Sequence, residues 1–244
     1  MSRFYVDPDG IKGDKIYIEG AEAHHIADVM RLKAGERICA FDGMGNEFSG
    51  VITHIGSKRA VVDITEKRSI GPNKARRVTL VQAVPKKSIM DYIVEKSTEL
   101  GVDVIVPLWT DRTIVKPDEK GMAGKLSRWR RISIEASKQC GRSIIPQITA
   151  PKTFAAAVAA LDKHALALIP HLGGGTSKIS DALRSAGKKD IIIFIGPEGD
   201  FTAKEVSEAV KNGAIPVTLG PNVLRCDTAA VASLSIIGYE SGKI

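Results

Sequence analysis

The chain has 244 residues, of which 26% are charged, with a net charge of +7 and a mean hydropathy of −0.01. These values describe an ordinary soluble globular protein of one or two domains, and nothing approaches the ~18 uninterrupted apolar residues of a membrane span. The three cysteines are far apart and the N-terminus lacks the apolar core of a signal peptide, so we expect no disulfide framework and a cytoplasmic location. No Cys or His stands at ligand spacing from another, so we predict no metal site.

The positive charge is concentrated in the middle of the chain. Residues 78–150 carry 12 basic and 8 acidic side chains, whereas residues 1–77 carry 13 and 11, and residues 151–244 carry 10 and 9. A basic segment suits a polyanionic partner, because contacts of Lys and Arg with phosphate dominate nucleic-acid affinity. A solvated basic face without a partner explains the charge equally well.

Residues 1–70 have the pattern of a small β-barrel. Runs rich in β-branched and aromatic residues are predicted strands, at 15–19, 36–41, 47–53 and 60–65. Glycine-containing turn signals separate these runs, and a helix is predicted between them at 22–32. Several short strands with tight turns favour a small barrel. Residues 71–77 are polar and turn-prone, and we interpret them as a linker.

After residue 77 the pattern changes to strands that alternate with helices, which is typical of an α/β domain with a mainly parallel sheet. The predicted strands are 78–84, 102–108, 165–169, 190–195 and 214–219. The predicted helices are 87–100, 125–140, 154–161, 178–186 and 229–239. On the first of these helices we place Ile89, Tyr92, Ile93 and Leu100 near one apolar stripe, which such a helix turns towards the core. The last helix is apolar nearly all round, which predicts burial, with a second subunit as one candidate partner.

Two of these strands end in glycine-rich turns, and ligands of parallel sheets bind beyond the carboxyl ends of the strands. Strand 190–195 runs into Gly196-Pro-Glu-Gly199, where the glycines let a ligand approach main-chain amides. Thr202 and Glu205 then form a capping box for the next helix. For this turn alone, an ordinary strand-to-helix connection without a ligand is the stronger interpretation.

The second turn shifts the balance towards ligand binding. Strand 214–219 runs into Gly220-Pro-Asn-Val-Leu-Arg225, which is too apolar for a solvent loop. Val223 and Leu224 are candidates for the floor under a flat aromatic ligand. We expect Asp227 or Thr228 to cap the helix that follows.

A third loop, Gly173-Gly-Gly-Thr-Ser-Lys178, resembles a phosphate cradle but lacks the spacing of a Walker motif. No Gly-x-Gly-x-x-Gly fingerprint occurs in the chain either. P-loop enzymes and nucleotide-dependent oxidoreductases therefore lose their main support. We interpret this stretch as a flexible or ligand-edging loop.

Short motifs along the whole chain carry a family resemblance. They are His25-Ile-Ala-Asp-Val-Met-Arg31, Phe41-Asp-Gly-Met-Gly45, Lys96-Ser-Thr-Glu-Leu-Gly-Val102, Arg128-Trp129, Glu135-Ala-Ser-Lys-Gln-Cys-Gly-Arg142, Ile195-Gly-Pro-Glu-Gly199 and Leu219-Gly-Pro-Asn-Val-Leu-Arg-Cys-Asp-Thr-Ala229. In this order and spacing they resemble the bacterial 16S (small-subunit) ribosomal RNA uridine-N3 methyltransferases, a family of the SPOUT superfamily.

The resemblance implies an α/β protein with a small N-terminal PUA-like β-barrel at 1–70 that binds RNA. It places a SPOUT methyltransferase domain at 78–244, whose chain threads a trefoil knot. It further implies S-adenosyl-L-methionine as cofactor, a homodimer, and methylation of N3 of one uridine in 16S rRNA of the small ribosomal subunit. Periodicity gives no hint of the knot, which default expectations exclude because true knots are rare.

Carried over position by position, the resemblance implies a cofactor pocket at the ends of three strands. Its residues are Leu168, Ile169, Pro170, Ile195, Gly196, Pro197, Glu198, Gly199, Leu219, Gly220, Pro221, Val223, Leu224, Arg225, Thr228 and Ala229. Three positions depart from the family pattern. Asp200 stands where a further glycine is usual, Asn222 where a basic residue is common, and Asp227 where glutamate is usual.

Methyl transfer to uracil N3 requires that N3 is held in line with the methyl group and loses its imide proton. We expect Arg225 to stabilise the charge that develops on the uracil carbonyls. Asp227 is a candidate proton acceptor or a partner that orients Arg225, and Glu198 is a weaker candidate base. Helix capping is the competing interpretation of Asp227.

Basic side chains are expected to contact RNA phosphates, with the barrel placing the substrate. The candidates are Arg3, Arg31, Lys86, Lys87, Arg112, Lys138 and Arg142. Each has an equally good alternative as an ordinary surface charge.

Two other functions remain open. A methyltransferase of the same superfamily with another target, such as transfer RNA, fits much of the same pattern. A non-catalytic RNA-binding protein of ribosome assembly would have a decayed pocket, against which Arg225, Gly196 and Gly199 argue. Cofactor binding and turnover distinguish these possibilities.

Overall fold

The computed structural model describes residues 2–56, 58–71, 76–114 and 118–242. The chain forms two compact units, Met1–Asn73 with Ile134–Ile145 and Lys74–Ser133 with Pro146–Ile244. Residues 72–75 of the predicted linker lie outside the described residues. Residues 134–145 group with the first unit, although their place in the sequence lies within the predicted second domain.

The first unit is built on a mostly antiparallel sheet, in agreement with its β-rich sequence. Its strands are β1 (Arg3–Tyr5), β2 (Ile11–Lys12), β3 (Lys15–Glu19), β4 (Arg37–Phe41), β5 (Asn46–Ile55) and β6 (Arg59–Ser69). They follow the order β1-β4-β5-β6-β3-β2, with β1 parallel to β4. Inward-facing side chains such as Phe4, Ile16 and Ile38 form its core. Strands β1 and β2 are too short to show a sequence period and were not predicted.

The helix predicted at 22–32 starts earlier and changes its winding. Helix α1 (Gly20–His24) passes into a π-helical turn at His25–Val29, in which the Met30 N–H donates to the His25 carbonyl. Arg31 then takes a φ of 52°. This left-handed conformation interrupts the helix before residue 32.

Arg3 ties β1 to the end of the segment 134–145 within the first unit. Its guanidinium donates to Glu47 Oε1 at 2.6 Å, to Ser143 Oγ at 2.9 Å and to the Arg142 carbonyl at 3.0 Å. It also lies 4.6 Å over the centre of the Phe41 ring. Only 16% of the Arg3 side chain is exposed. Arg3 therefore has a role in the fold, and the RNA contact suggested for it by the sequence stays a prediction.

Lys138 is also engaged inside the first unit. Its Nζ lies 2.8 Å from Glu22 Oε1 and 3.1 Å from Glu135 Oε1, and its side chain is 8% exposed. Removing either carboxylate would leave a largely buried ammonium without part of its compensation. Lys138 therefore has a structural role, and the RNA contact suggested for it by the sequence stays a prediction.

The second unit contains a parallel sheet, as the alternating pattern predicts. Its strands are β7 (Val78–Ala83), β8 (Val104–Trp109), β9 (Gln147–Ile148), β10 (Lys152–Thr153), β11 (Leu166–Pro170), β12 (Ser177–Lys178), β13 (Ile191–Ile195) and β14 (Ile215–Thr218). They follow the order β10-β8-β7-β13-β11-β14-β12, with β9 paired to β8. Leu168 and Ile169 of β11 belong to different core clusters. Burial on both faces of the sheet explains the unbroken apolar runs.

Helices pack around this sheet. They are α2 (Ile89–Glu99), α3 (Glu119–Cys140), α4 (Phe154–Ala159), α5 (Ile179–Ser185), α6 (Ala203–Lys211) and α7 (Cys226–Glu240). Helix α3 begins earlier than predicted, and Asp118 Oδ1 accepts a hydrogen bond from the Gly121 N–H in its first turn. On α2, Ile93 is buried but Tyr92 is 48% exposed. The predicted place of Tyr92 on the buried stripe is wrong, because one residue of helix turns the side chain by about 100°.

Glu47 makes the first unit sensitive to acid. Burial tends to raise the pKa of its carboxyl, but hydrogen bonds from Ser143 and Arg3 together outweigh burial and hold the pKa below its usual value of 4.5. A carboxyl whose pKa is depressed on folding stabilises the folded state above its unfolded pKa. That contribution is lost as the pH falls through the folded pKa.

We expect Glu47→Gln to lower the free energy of unfolding near neutral pH by about 1–3 kcal/mol, the usual contribution of a hydrogen bond to a charged group. The difference in free energy of unfolding between the variant and the wild type should shrink as the pH falls from about 4.5 through the lower pKa of folded Glu47, where its carboxyl becomes protonated. Urea unfolding over a pH series measures this difference in free energy of unfolding. Glu66→Gln, at an exposed position of β6, is the control. A difference that stays constant at acidic pH would contradict this role of Glu47.

Candidate active site

The carboxyl ends of neighbouring parallel strands meet along one edge of the second unit. Strands β8, β7, β13, β11 and β14 are hydrogen-bonded side by side in that order. The loops after them are therefore adjacent, which is where ligands of such sheets bind. A cleft of about 260 Å³ opens among the loops after β11, β13 and β14 and the start of α7.

Most of the residues predicted to bind the cofactor line this cleft. They are Pro170, Ile195, Gly196, Pro197, Glu198, Gly199, Leu219, Gly220, Val223, Leu224 and Ala229. Leu168 and Ile169 instead lie fully buried in the core. Pro221, Arg225 and Thr228 are exposed and lie outside the lining formed by the described residues. The cleft also takes in residues that sequence reasoning did not assign to it, namely His171, Leu172, Asp200, Thr218, Asn222 and Cys226.

Glu198 fixes the turn after β13 to the loop after β7. Its Oε1 accepts a hydrogen bond from the Lys86 N–H at 2.8 Å. A hydrogen bond to a carboxylate is stronger than one between neutral groups. Through this oxygen Glu198 holds the turn in place, and its role as a base stays a prediction.

A second tether comes from the loop after β8. Arg112 Nη1 donates to the Gly199 carbonyl, and the Asp111 N–H donates to Glu205 Oε1 at 3.0 Å. Glu205 also belongs to the predicted capping box of α6, which is confirmed: its Oε2 accepts from the Thr202 N–H, and its N–H donates to Thr202 Oγ1. Arg112, a candidate RNA contact, therefore supports the turn beside the cleft.

His171 and Asp200 form a pair at the rim of the cleft. His171 Nδ1 lies 3.4 Å from Asp200 Oδ2, an ion-pair distance, yet this buried nitrogen makes no hydrogen bond within the described residues. Asp200 has a φ of 61°, a conformation that costs a non-glycine residue roughly 1 kcal/mol. Its Oδ1 accepts from the Phe201 N–H at 2.7 Å, which offsets part of that cost. In the sequence, only the presence of Asp200 where the family usually has glycine pointed to this pair.

Helix α7 begins before the cap predicted for it. Cys226 is its first residue, so Arg225 occupies the N-cap position, and the Arg225 side chain makes no capping hydrogen bond. Asp227 lies in the first turn, where Oδ1 accepts from the Thr228 N–H at 2.8 Å and the charge favours the helix dipole. The prediction that Asp227 or Thr228 is the N-cap is wrong, because the chain is already helical at Cys226.

The Arg225 guanidinium is available for a ligand. Arg225 is exposed, and within the described ranges no hydrogen bond or ion pair engages its side chain. By contrast, the thiol of Cys226 is inert. Burial raises its pKa to about 11, and the charges of Glu198 and Asp227 act in the same direction. The thiol stays protonated and packs as a small apolar group.

The remaining predicted RNA contacts differ in exposure. Lys86, Lys87 and Arg31 are exposed, whereas Arg142 is half-buried and its carbonyl accepts from Arg3. Among the residues with described positions, no cluster of three or more His, Cys, Asp or Glu is arranged to hold a metal ion. Of the helices described, none has the length and apolar character needed to cross a membrane.

Comparison with known proteins gives the family. A sequence model described as an RNA methyltransferase domain matches residues 72–238, and one described as an RNA methyltransferase PUA domain matches residues 18–65. The chain is 31% identical over 239 residues to the ribosomal RNA small subunit methyltransferase E of a Synechocystis strain, covering 96% of this chain and 76% of that protein. The chain belongs to the ribosomal RNA small subunit methyltransferase E family.

Solved structures similar to this methyltransferase share its fold over nearly the whole chain. A Legionella pneumophila protein solved in complex with S-adenosylmethionine aligns with a TM-score of 0.88 at 32% identity, over 97% of this chain and 96% of that one. The Neisseria gonorrhoeae ribosomal RNA small subunit methyltransferase E, also bound to S-adenosylmethionine, aligns with a TM-score of 0.88 at 29% identity, over 98% and 97%. The mixed α/β fold with an N-terminal PUA-like domain is thereby confirmed.

We expect Glu198→Ala to free the turn after β13, because the Lys86 N–H loses its acceptor. Hydrogen exchange of the Lys86 amide should speed up by roughly tenfold, the effect of losing a hydrogen bond of about 1.5 kcal/mol. Glu198→Gln keeps an acceptor oxygen and should retain most of the protection. Equal exchange rates in the wild type and in Glu198→Ala would show that this hydrogen bond does not hold the turn.

Proposed function

We propose that this protein transfers a methyl group from S-adenosyl-L-methionine to N3 of a specific uridine in 16S rRNA of the small ribosomal subunit. One observation carries the cofactor assignment. The described lining of the cleft includes the carboxylates of Glu198 and Asp200 and neither lysine nor arginine. Such a lining favours a cation over a ligand that carries phosphates.

The residues of the cleft fit this cofactor. When bound, S-adenosylmethionine supplies a methyl group already activated on a positively charged sulfonium. Val223 and Leu224 offer apolar surface for its adenine ring. Gly196 and Gly199 line the same cleft, where a Cβ would crowd Asp200 at the first position and Arg112 at the second. The buried Nδ1 of His171 makes no hydrogen bond in the described residues, so a polar ligand atom would satisfy it.

The relatives support the same cofactor and the same class of substrate. Structures of the Legionella and Neisseria relatives contain S-adenosylmethionine, and the Synechocystis relative is named for the small-subunit ribosomal RNA. A nucleotide-dependent oxidoreductase is disfavoured, because the acidic lining would repel its phosphates. The uridine N3 as target comes from the motif resemblance.

The protein must position the uracil and take up one proton. Uracil N3 is paired and stacked inside a helix, so the target must be unpaired or flipped out. Arg225 stabilises the negative charge that spreads over the uracil carbonyls as the proton leaves. Asp227 is the candidate acceptor of that proton: its Oδ1 is engaged by the Thr228 N–H, and its Oδ2 is open within the described residues. Glu198 has a positioning role in this scheme.

The assembly and location belong to the same proposal. Leu234 and Ile237 of α7 are buried, whereas Val231 is half-buried and Tyr239 is 75% exposed. We place a homodimer contact on this outer face of α7. The trefoil knot, the division into a PUA-like barrel at 1–70 and a SPOUT domain at 78–244, the cytoplasmic location and the absence of a metal rest on sequence reasoning and on the family resemblance.

The function is tested by transfer of labelled methyl from S-adenosylmethionine to small ribosomal subunits that lack the modification, followed by nucleoside mapping. We expect 3-methyluridine at a single site. Arg225→Ala should bind the cofactor normally and lose about 10²–10³-fold in turnover, as for other charge-stabilising groups. Label in transfer RNA alone would identify another target, and cofactor-independent RNA binding without label would favour a non-catalytic assembly protein.

The charge of the cleft gives a separate prediction. We expect Asp200→Asn to bind S-adenosylmethionine roughly two- to fivefold more weakly, since one partly exposed charge pair contributes about 0.5–1 kcal/mol. The loss of affinity for S-adenosylhomocysteine, which lacks the sulfonium charge, should be smaller in the same variant. Asn tolerates the positive φ and still accepts from the Phe201 N–H, and Asp181→Asn on α5 is the matched control. Calorimetry with both ligands measures this, and equal losses for the two would refute it.

A further inference from the structure

A second concave surface of the second unit carries positive charge. This groove, of about 360 Å³, lies between the start of α2 and the first half of α3. The residues that matter in it are Lys87, Ser88, Asp91, Gly124, Lys125 and Arg128. Its three cations face a single carboxylate among the charged side chains of the described lining. The groove is therefore basic, in contrast to the acidic cofactor cleft.

The charges of the groove fall into a paired part and an open part. Asp91 Oδ2 accepts from Arg128 Nη2 at 2.7 Å and from Nε at 3.0 Å, while Asp91 Oδ1 accepts from Trp129 Nε1 at 3.2 Å. This carboxylate therefore fixes the guanidinium. Neither Lys87 nor Lys125 has an ion-pair or hydrogen-bond partner within the described residues. The two ammonium groups are free to bind an anion.

Gly124 leaves the helix backbone bare on the same surface. A glycine in the interior of a helix is destabilising relative to alanine, because it loses more chain entropy. Packing does not require it here, since a Cβ added at Gly124 would meet no atom within 4 Å. A glycine that packing does not need, beside two unpaired lysines, suits a ligand that approaches the backbone closely.

The groove adjoins the cofactor cleft through one short loop. Val84, Lys87 and Ser88 of the loop after β7 line the groove. Lys86 of the same loop donates its N–H to Glu198, which lines the cleft. The groove and the cleft are therefore linked through this loop and its hydrogen bond to Glu198.

We propose that this groove holds the phosphodiester backbone of the RNA strand that delivers the target nucleotide. The inference rests on the proposed function, because that function supplies the RNA. Lys87 and Lys125 neutralise successive phosphates, and Arg128, held by Asp91, presents the rest of its guanidinium to the strand. Such contacts set the register of the strand without reading its sequence.

The test is the affinity of the full chain for small-subunit ribosomal RNA, measured by fluorescence anisotropy at several salt concentrations. The variant Lys87→Gln/Lys125→Gln should bind roughly tenfold more weakly near 0.1 M salt, and the slope of log affinity against log salt should fall by about 1.4, or ~0.7 for each lost contact to single-stranded RNA. Binding of S-adenosylmethionine should not change. Lys163→Gln/Lys211→Gln, two exposed lysines outside the groove, is the matched control.

A second variant separates binding from stability. Gly124→Ala should raise the Tm by about 2–4 °C, because it removes the entropic cost of a helical glycine, and should weaken RNA binding severalfold by placing a methyl group in the groove. A residue with only a structural role would not gain stability while losing affinity. If the lysine variant keeps the wild-type affinity and salt slope, or if the control loses as much, the groove proposal is overturned.

The outcome for the groove is distinct from the outcome for the proposed function. A wild-type protein that methylates ribosomal RNA while the groove variants bind normally would leave the function intact and refute the groove. A wild-type protein that binds this RNA through the groove without methylating it would refute the function and support the groove.

Discussion

The active site depends on hydrogen bonds that tie one short turn to its neighbours. The turn Gly196–Gly199, with Asp200 after it, is held by the Lys86 N–H, by the Arg112 guanidinium and by the approach of His171. Each of these groups follows a different strand of the parallel sheet. The strands are fixed by a core on both faces, so their ends hold the turn, in which Pro197 is also buried. The positions of the residues that line the cleft are thus set by the sheet.

The distribution of charge separates two ligands of opposite sign. The chain has a net charge of +7, yet the described cleft lining carries carboxylates and the neighbouring groove carries lysines. A uniformly basic surface would draw RNA phosphates into the cofactor site as readily as onto the substrate path. The boundary between the two regions lies at the loop after β7, where the Lys86 N–H meets Glu198 and Lys87 faces the groove.

Much of this arrangement was readable from the sequence. The apolar runs predicted the sheet, and the two glycine turns predicted the cleft, because strand burial and turn chemistry are local properties. Contacts between residues far apart in the chain could not be predicted. Arg3 and Lys138 are chemically suited to RNA, and only the fold shows that Glu47, Ser143 and Glu22 already engage them. No sequence motif marked His171. Its place in the site depends on Asp200, which follows a different strand of the sheet. Helix α7 starts at Cys226, three residues before the predicted start at 229, and Cys226 is part of the core.

Helix α3 links the two units through the chain itself. It runs from Glu119 to Cys140, and from Ile134 onwards it is grouped with the N-terminal unit. An evolutionary exchange of the N-terminal domain by a single crossover near residue 73 would therefore leave Arg3 and Glu47 without Ser143, and Glu22 without Lys138. The two units are therefore separate in their folds, but the N-terminal unit is not encoded by one continuous segment of the sequence. Substitutions in the N-terminal unit are therefore constrained by residues 134–145, which lie within the C-terminal part of the sequence.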